Sequence, residues 1–182
     1  MSDIQWKLSG VCHKFGDDLR HNDGLIDAHF ASDRIFDPAV LAPRTLELVR
    51  PGFSKAVKPG DLVIAGQNFG KGKAKIQGYI GLRALGVGVL SESMPFLAYR
   101  GAVCAGLLFL TDCTGITELV NDGDRTEMDF LTGRFSNLTS GATAQYEPLP
   151  DVLREIIAVG GSNGVLRNWW QQRQAEREAL AA

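Results

Sequence analysis

The chain has 182 residues, 45% of them hydrophobic and 22% charged, with a formal net charge of −2. At that length a fold buries about 70% of the surface its unfolded chain exposes, so the core needs no disulfide or metal staple. The charge balance argues against a nucleic-acid-binding module, and no apolar run reaches the roughly 18 residues of a membrane span.

Residues 1–6 offer neither a basic nor an apolar leader region, which argues against secretion. Cys12, Cys104 and Cys113 are odd in number and widely spaced, with no Cys-x-x-Cys or Cys/His pattern. They read as buried thiols acting as small hydrophobes, and no metal site is expected in this chain. Asn137-Leu138-Thr139 fits a glycosylation pattern that carries no weight in a chain that is not exported. Together these features predict a cytoplasmic protein.

A first strand is expected over residues 4–11, followed by a turn near Gly16-Asp17-Asp18 and a polar stretch to Phe36. Asp37-Pro38 reads as a helix start, with Asp as cap and Pro at the first helical position; Pro43 should interrupt that helix and Pro51-Gly52 end it. The apolar run 62–65 between Gly60 and Gly66 predicts a buried strand, and residues 74–85 a helix. A second buried strand over 86–91, a helix over 94–105 and a third strand over 106–110 complete an α/β unit with parallel pairing. Alternation over 124–130, the turn at Thr132-Gly133 and the return through 135–139 predict an antiparallel continuation. Asp151 can cap a short helix closed by Gly160-Gly161. The expected organisation is one domain over 1–164 and a helical tail over 165–182, in which one of Trp169 and Trp170 is core and the other faces a partner.

The stretch Gly66-Gln67-Asn68-Phe69-Gly70-Lys71-Gly72-Lys73-Ala74-Lys75 lies between an apolar strand and a helix. Backbone amides and a helix N-terminus attract anions there, and three alternating lysines add charge. A phosphate-binding P-loop fits poorly: aligned on Gly72-Lys73, it finds Gln67 where its first Gly belongs and Ala74 where its metal-binding hydroxyl belongs. A turn with solvated lysines is the plain alternative. His13 reads as structural, and His21 and His29 as surface residues.

Lys58-Pro59-Gly60-Asp61 followed by Leu62-Val63-Ile64-Ala65-Gly66-Gln67-Asn68-Phe69-Gly70 resembles the centre of the 3-isopropylmalate dehydratase small subunit, the swivel-domain part of the aconitase superfamily. The likeness continues in His13-Lys14-Phe15-Gly16-Asp17-Asp18, Asp37-Pro38, Ala84-Leu85-Gly86-Val87 and Tyr99-Arg100. Leu131-Thr132-Gly133, Asn137 to Gly141, Pro148-Leu149-Pro150 and Glu155 to Gly161 then follow in the same order. The resemblance implies an α/β fold, a swivelling β/β/α domain with a mixed sheet and a C-terminal helix. It also implies the small subunit of a heteromeric hydro-lyase acting on a hydroxy-dicarboxylate, in a setting like leucine biosynthesis. In that family a large subunit carries a 4Fe–4S cluster, so this chain would carry no cofactor and would need that partner for activity.

The departure from the family falls in the loop. Lys71 stands in place of Cys, Lys73 in place of the proton-transferring Ser, Ala74 in place of a second Ser, Lys75 in place of Arg and Ile76 in place of Glu. Arg20-His21-Asn22 replaces an Asp-Thr-Asp, and Phe96 takes the place of an Arg. By resemblance Lys73 is the candidate catalytic base, which requires desolvation of an otherwise charged amine. Gly70, Lys71, Gly72, Lys75 and Arg100 are the candidate contacts to the diacid. Two alternatives stand beside this: a non-catalytic swivel homologue that binds a partner or anion, and a divergent lyase or isomerase using Lys73.

Overall fold

The computed structural model describes residues 4–181. Met1 to Asp3 and Ala182 lie outside them, and with them the first residues of the expected leader-free N-terminus and the outer limits of the two expected segments.

Seven strands form one mixed sheet in the order β4-β3-β2-β1-β5-β6-β7. β1 (Lys7–Lys14), β2 (Leu62–Ala65), β3 (Gly88–Ser91) and β4 (Phe109–Leu110) run parallel. β5 (Arg125–Asp129), β6 (Arg134–Asn137) and β7 (Thr143–Gln145) continue antiparallel from the other side of β1. β1 therefore joins the two halves: Cys12, His13 and Lys14 register with Leu62, Val63 and Ile64, while Lys7 to Val11 register with Asp129 to Arg125. β2 and β3 are buried at every position, as unbroken apolar runs in a parallel sheet require. The strand expected over 4–11 is displaced to Lys7–Lys14, because its pairing with β2 extends it beyond Val11.

The helices are α1 (Ala28–Ser32), α2 (Pro38–Leu41), α3 (Phe53–Ala56), α4 (Gln77–Ala84), α5 (Phe96–Ala105), α6 (Asp151–Ala158) and α7 (Ser162–Ala181). α4 packs on α2 and α5, and α6 and the root of α7 pack on α5. Asp37 caps α2 as its sequence requires, accepting from the Ala39 amide at 2.9 Å. That helix gives way to a 3-10 turn at Ala42–Arg44, where Pro43 breaks the hydrogen-bond ladder. The polar stretch before it is not all loop: Asp27 accepts from the His29 amide and starts the five-residue α1, which buries Phe30 and Ala31. Phe30, Ile26 and Leu41 form a small core apart from the main one. Asp151 opens α6 without capping it; no side chain caps that helix.

The Lys-Pro-Gly-Asp turn has a structural explanation. The Asp61 carboxylate, 4% exposed, accepts from the amides of Val11 (2.8 Å) and Lys58 (2.9 Å) and lies 3.0 Å from His13 Nε2. One side chain thus ties β1 to the turn before β2, and His13 is structural, its ring edge-on to Phe53. Asn137 is equally internal: its amide donates to Leu119 O at 2.9 Å and Asp124 Oδ2 at 2.7 Å.

Candidate functional site

The loop that follows β2 lies at the carboxyl end of the parallel strands, and its first half is rigidly held. The β1–β2 pairing continues past both strands: Gly66 donates to Gly16 O (3.3 Å), Asp18 to Gln67 O (2.7 Å), Gly70 to Leu19 O (2.7 Å) and His21 to Lys71 O (3.0 Å). Asp17 accepts from the Gln67 amide at 2.8 Å, and Asp18 from the Asn68 side chain at 2.9 Å. From the other side, Ser93 bonds the amides of Asn68 (2.9 Å) and Phe69 (3.0 Å). Gly70 turns the chain with φ 76°, and a Cβ there would lie 2.1 Å from the Tyr79 hydroxyl. Only glycine meets both demands.

Beyond Gly70 the chain opens. Residues 71–74 are exposed, and Gly72 adopts φ 136° with open space around its Cα. Lys71 Nζ sits 3.0 Å from Asp18 Oδ1, and this pairing, with the Asn68 hydrogen bond, holds the Asp18 carboxyl below the usual range. Lys73 has no ion pair among the described residues. The amides of Gly72, Lys73, Ala74 and Lys75 have no acceptor among the described residues either. α4 begins at Gln77, not at residue 74, so the lysines stand ahead of the helix and not in its first turn. Lys75 and Arg100 line one cleft of about 400 Å³ with Ile76, Leu97, Cys104 and Asn163. The structure thus places Gly70 beneath the loop, Lys71 on Asp18, Gly72 and Lys73 at the open tip, and Lys75 and Arg100 together in the cleft.

His21 departs from its sequence reading. It is 1% exposed, because the α4 amide of Gly78 donates to its Nε2 at 3.1 Å and Tyr79 packs edge-on to it at 5.2 Å. Nδ1 then carries the proton toward Asn22 Oδ1 at 3.1 Å. Burial holds this imidazole below its ordinary pKa, reinforced by the Lys75 charge against the opposing Asn22 bond. His29 is indeed at the surface, paired with Asp27 at 2.8 Å. Sequence reasoning also missed Tyr79, whose hydroxyl is buried without a partner and pushed upward by desolvation. Neither tryptophan is core: Trp169 and Trp170 are 50% and 54% exposed.

No group of three His, Cys, Asp or Glu side chains that could hold a metal occurs among the described residues. Burial pushes the Cys12 and Cys113 thiols up to about 12, which disfavours the thiolate that a cluster requires. These cysteines do not fit an iron–sulfur cluster.

A parallel four-strand half continued by antiparallel strands, with a glycine-built loop at its carboxyl edge, defines a swivel-type α/β domain. No family model matches the chain. It is 36% identical over 155 residues to the isopropylmalate/citramalate isomerase small subunit of Methanocaldococcus jannaschii, an alignment covering 85% of this chain and 90% of that protein. It is 38% identical over 156 residues to the 3-isopropylmalate dehydratase small subunit of Methanosarcina acetivorans, covering 85% of this chain and 93% of the relative. A crystal structure of 3-isopropylmalate dehydratase from M. jannaschii superposes with a TM-score of 0.81 at 30% identity, covering 93% of this chain and 99% of that one. The chain belongs to the 3-isopropylmalate dehydratase small-subunit family.

Proposed function

We propose that this chain is the small subunit of a heteromeric hydro-lyase that dehydrates and rehydrates a hydroxy-dicarboxylate, and that it is inactive without its large subunit. The observation that carries the reading is the breadth of the likeness, which spans nine-tenths or more of relatives named as such subunits. The cluster the family implies would belong to the large subunit, where it would act as Lewis acid on the substrate hydroxyl. The work of this chain would be to hold and orient the diacid.

The free amides at 72–75 and the ammonium of Lys75 offer donors to one carboxylate, and Arg100 lies across the same cleft with a fork suited to bidentate binding. Lys71, held on Asp18, acts by fixing the loop's direction. Gly70 supports the loop from below, and Gly72 lets the backbone approach the ligand. Lys73 stands where the family's serine stood and would move the substrate proton. Its amine is exposed in this chain, so the base role depends on a large subunit that closes over the tip and desolvates it.

The test is reconstitution with the large subunit of the same organism. Lys73→Ala is expected to lower kcat by about a hundredfold or more, in the range general bases contribute, with the complex still forming. Lys75→Ala is expected to raise KM for the diacid, most strongly at low salt where an exposed charge is least screened. Wild-type turnover in Lys73→Ala removes the base role. Unchanged diacid affinity in the Lys73→Ala/Lys75→Ala pair removes the anion site.

A further inference from the structure

α7 is unlike every other helix of the fold. It is 20 residues long, packs on α5 and α6 only near its root, and is otherwise exposed or half-buried along its length from Val165. Folded monomers of 19.7 kDa present about 8,600 Å² of surface, whereas this chain presents 9826 Å². The difference is more than the roughly 800 Å² that one partner contributes to a standard interface.

The side of α7 turned from the body is exposed but not purely polar. At 3.6 residues per turn, Leu166, Trp169, Trp170, Arg173, Arg177 and Leu180 fall on one stripe. Leu166 is 61% exposed, and the Trp169 and Trp170 rings lie 6.3 Å apart. Arg173 lies over Trp169 at 5.7 Å from the ring centroid. Trp and Arg are the residues in which interface energy concentrates.

The root of α7 indicates what covers this stripe. Ser162 and Asn163 line the cleft that holds Lys75 and Arg100, so a body that closes over the loop meets α7 next. A second copy fits less well: the antiparallel register that sets Leu166 against Leu180 along the whole helix also sets Arg173 against Arg173.

We propose that α7 is a docking arm for the large subunit, whose surface would supply an apolar groove for Leu166, Trp169 and Trp170 and carboxylates at its rim for Arg173 and Arg177. This rests on the heteromeric reading above. The arm would lend assembly strength from outside the catalytic loop, as a helix laid in a groove.

The experiment titrates the full chain against the purified cluster-bearing large subunit of the same organism under anaerobic conditions. Affinity and turnover are read separately. Trp169→Ala/Trp170→Ala is expected to weaken assembly at least about thirtyfold, the effect of one interface hot spot, with kcat at saturation within about twofold of wild type. Arg173→Glu/Arg177→Glu, confined to exposed side chains that leave the fold intact, is expected to weaken assembly most strongly at low salt and to flatten its loss with salt relative to wild type. Equal affinity in both double variants overturns the arm. So does a chain that dimerises on its own through the tryptophans in sedimentation, since the second copy is then the occupant. Failure of the wild-type chain to bind the large subunit at all overturns both the heteromeric reading and the arm. An α7-dependent complex that does not turn over a diacid overturns the functional reading and leaves the arm standing.

Discussion

Residues 61–70 and 71–75 follow one another in the chain and obey opposite rules. In the first stretch the polar groups that hold the turns have partners across the fold: Asp61 on β1, Gly66 on Gly16, Asn68 on Asp18 and Ser93, Gly70 on Leu19. In the second, among the described residues, four successive amides have no acceptor and two lysines, Lys73 and Lys75, have no ion pair. By the resemblance read in the sequence, the first stretch is also where the residues follow the family pattern, and the second is where they depart from it. A rigid frame under an open tip lets the tip's chemistry change without cost to the fold, because nothing in the core depends on it.

Substitutions can break that contrast, and the largest effect is expected in the frame. Asp61→Ala strands two backbone donors and His13 in a nearly dry site, and should cost about 4 kcal/mol in urea unfolding, at one to three per stranded group. A loss below about 1 kcal/mol would mean that the frame does not depend on this carboxylate. Gly70→Ala forces a Cβ onto the Tyr79 hydroxyl at positive φ, for about 3 kcal/mol. Adding Tyr79→Phe removes the atom in the way and should recover a measurable part, a non-additivity the double-mutant cycle reads directly. Gly72→Ala has open space and pays only for its backbone angle, so about 1 kcal/mol is expected.

A smaller effect concerns pH. His21 accepts from the Gly78 amide only while neutral, and burial keeps its folded pKa below its unfolded value near 6.5. Its contribution is therefore complete above pH 6.5 and is lost as the pH falls through the lower folded value. His21→Gln keeps an acceptor without the titration. It should flatten the acid side of the stability curve relative to wild type; parallel curves would show that the imidazole stays uncharged or is not coupled to folding. Smallest of all is Lys71→Met, which removes an exposed pair with Asp18 and should leave the unfolding midpoint within error.

The frame was legible in the sequence wherever the signal was local. The run Leu62–Ala65 is β2, Asp37 caps α2, and Thr132-Gly133 turns β5 into β6. The order of the family-like segments gave the architecture beyond what periodicity could. What remained hidden depends on distant partners. His21 reads as polar in a polar stretch, and only the arrival of Gly78, 57 residues later, buries it. Tyr79 lies in a sequence that could be any helix, and its place under Gly70 comes from how α4 meets the loop. Trp169 and Trp170 mislead in the other direction, since two large apolar residues suggest core where the fold leaves them half exposed. The lysines were visible as a charged, glycine-spaced run, but the split between Lys71, tied to Asp18, and Lys75, set opposite Arg100, is tertiary.

The position of β1 at the seam of the sheet bears on how the chain is made. Its last three residues pair with a strand some 50 positions later, but its first five wait for Arg125–Asp129, more than 110 positions later. A nascent chain that has delivered β2 to β4 can assemble the parallel half and its helices, yet it carries one flank of β1 as an open ladder until the hairpin emerges. Closing so long a loop adds only slowly to the entropy cost, but high contact order slows folding, and an unpaired edge invites pairing with another chain in the meantime. On a ribosome adding about 5–20 residues per second, that edge stays open for several seconds. Lys7 and Lys14 place charges at the two ends of the waiting strand, where they discourage a neighbouring chain from completing the sheet first.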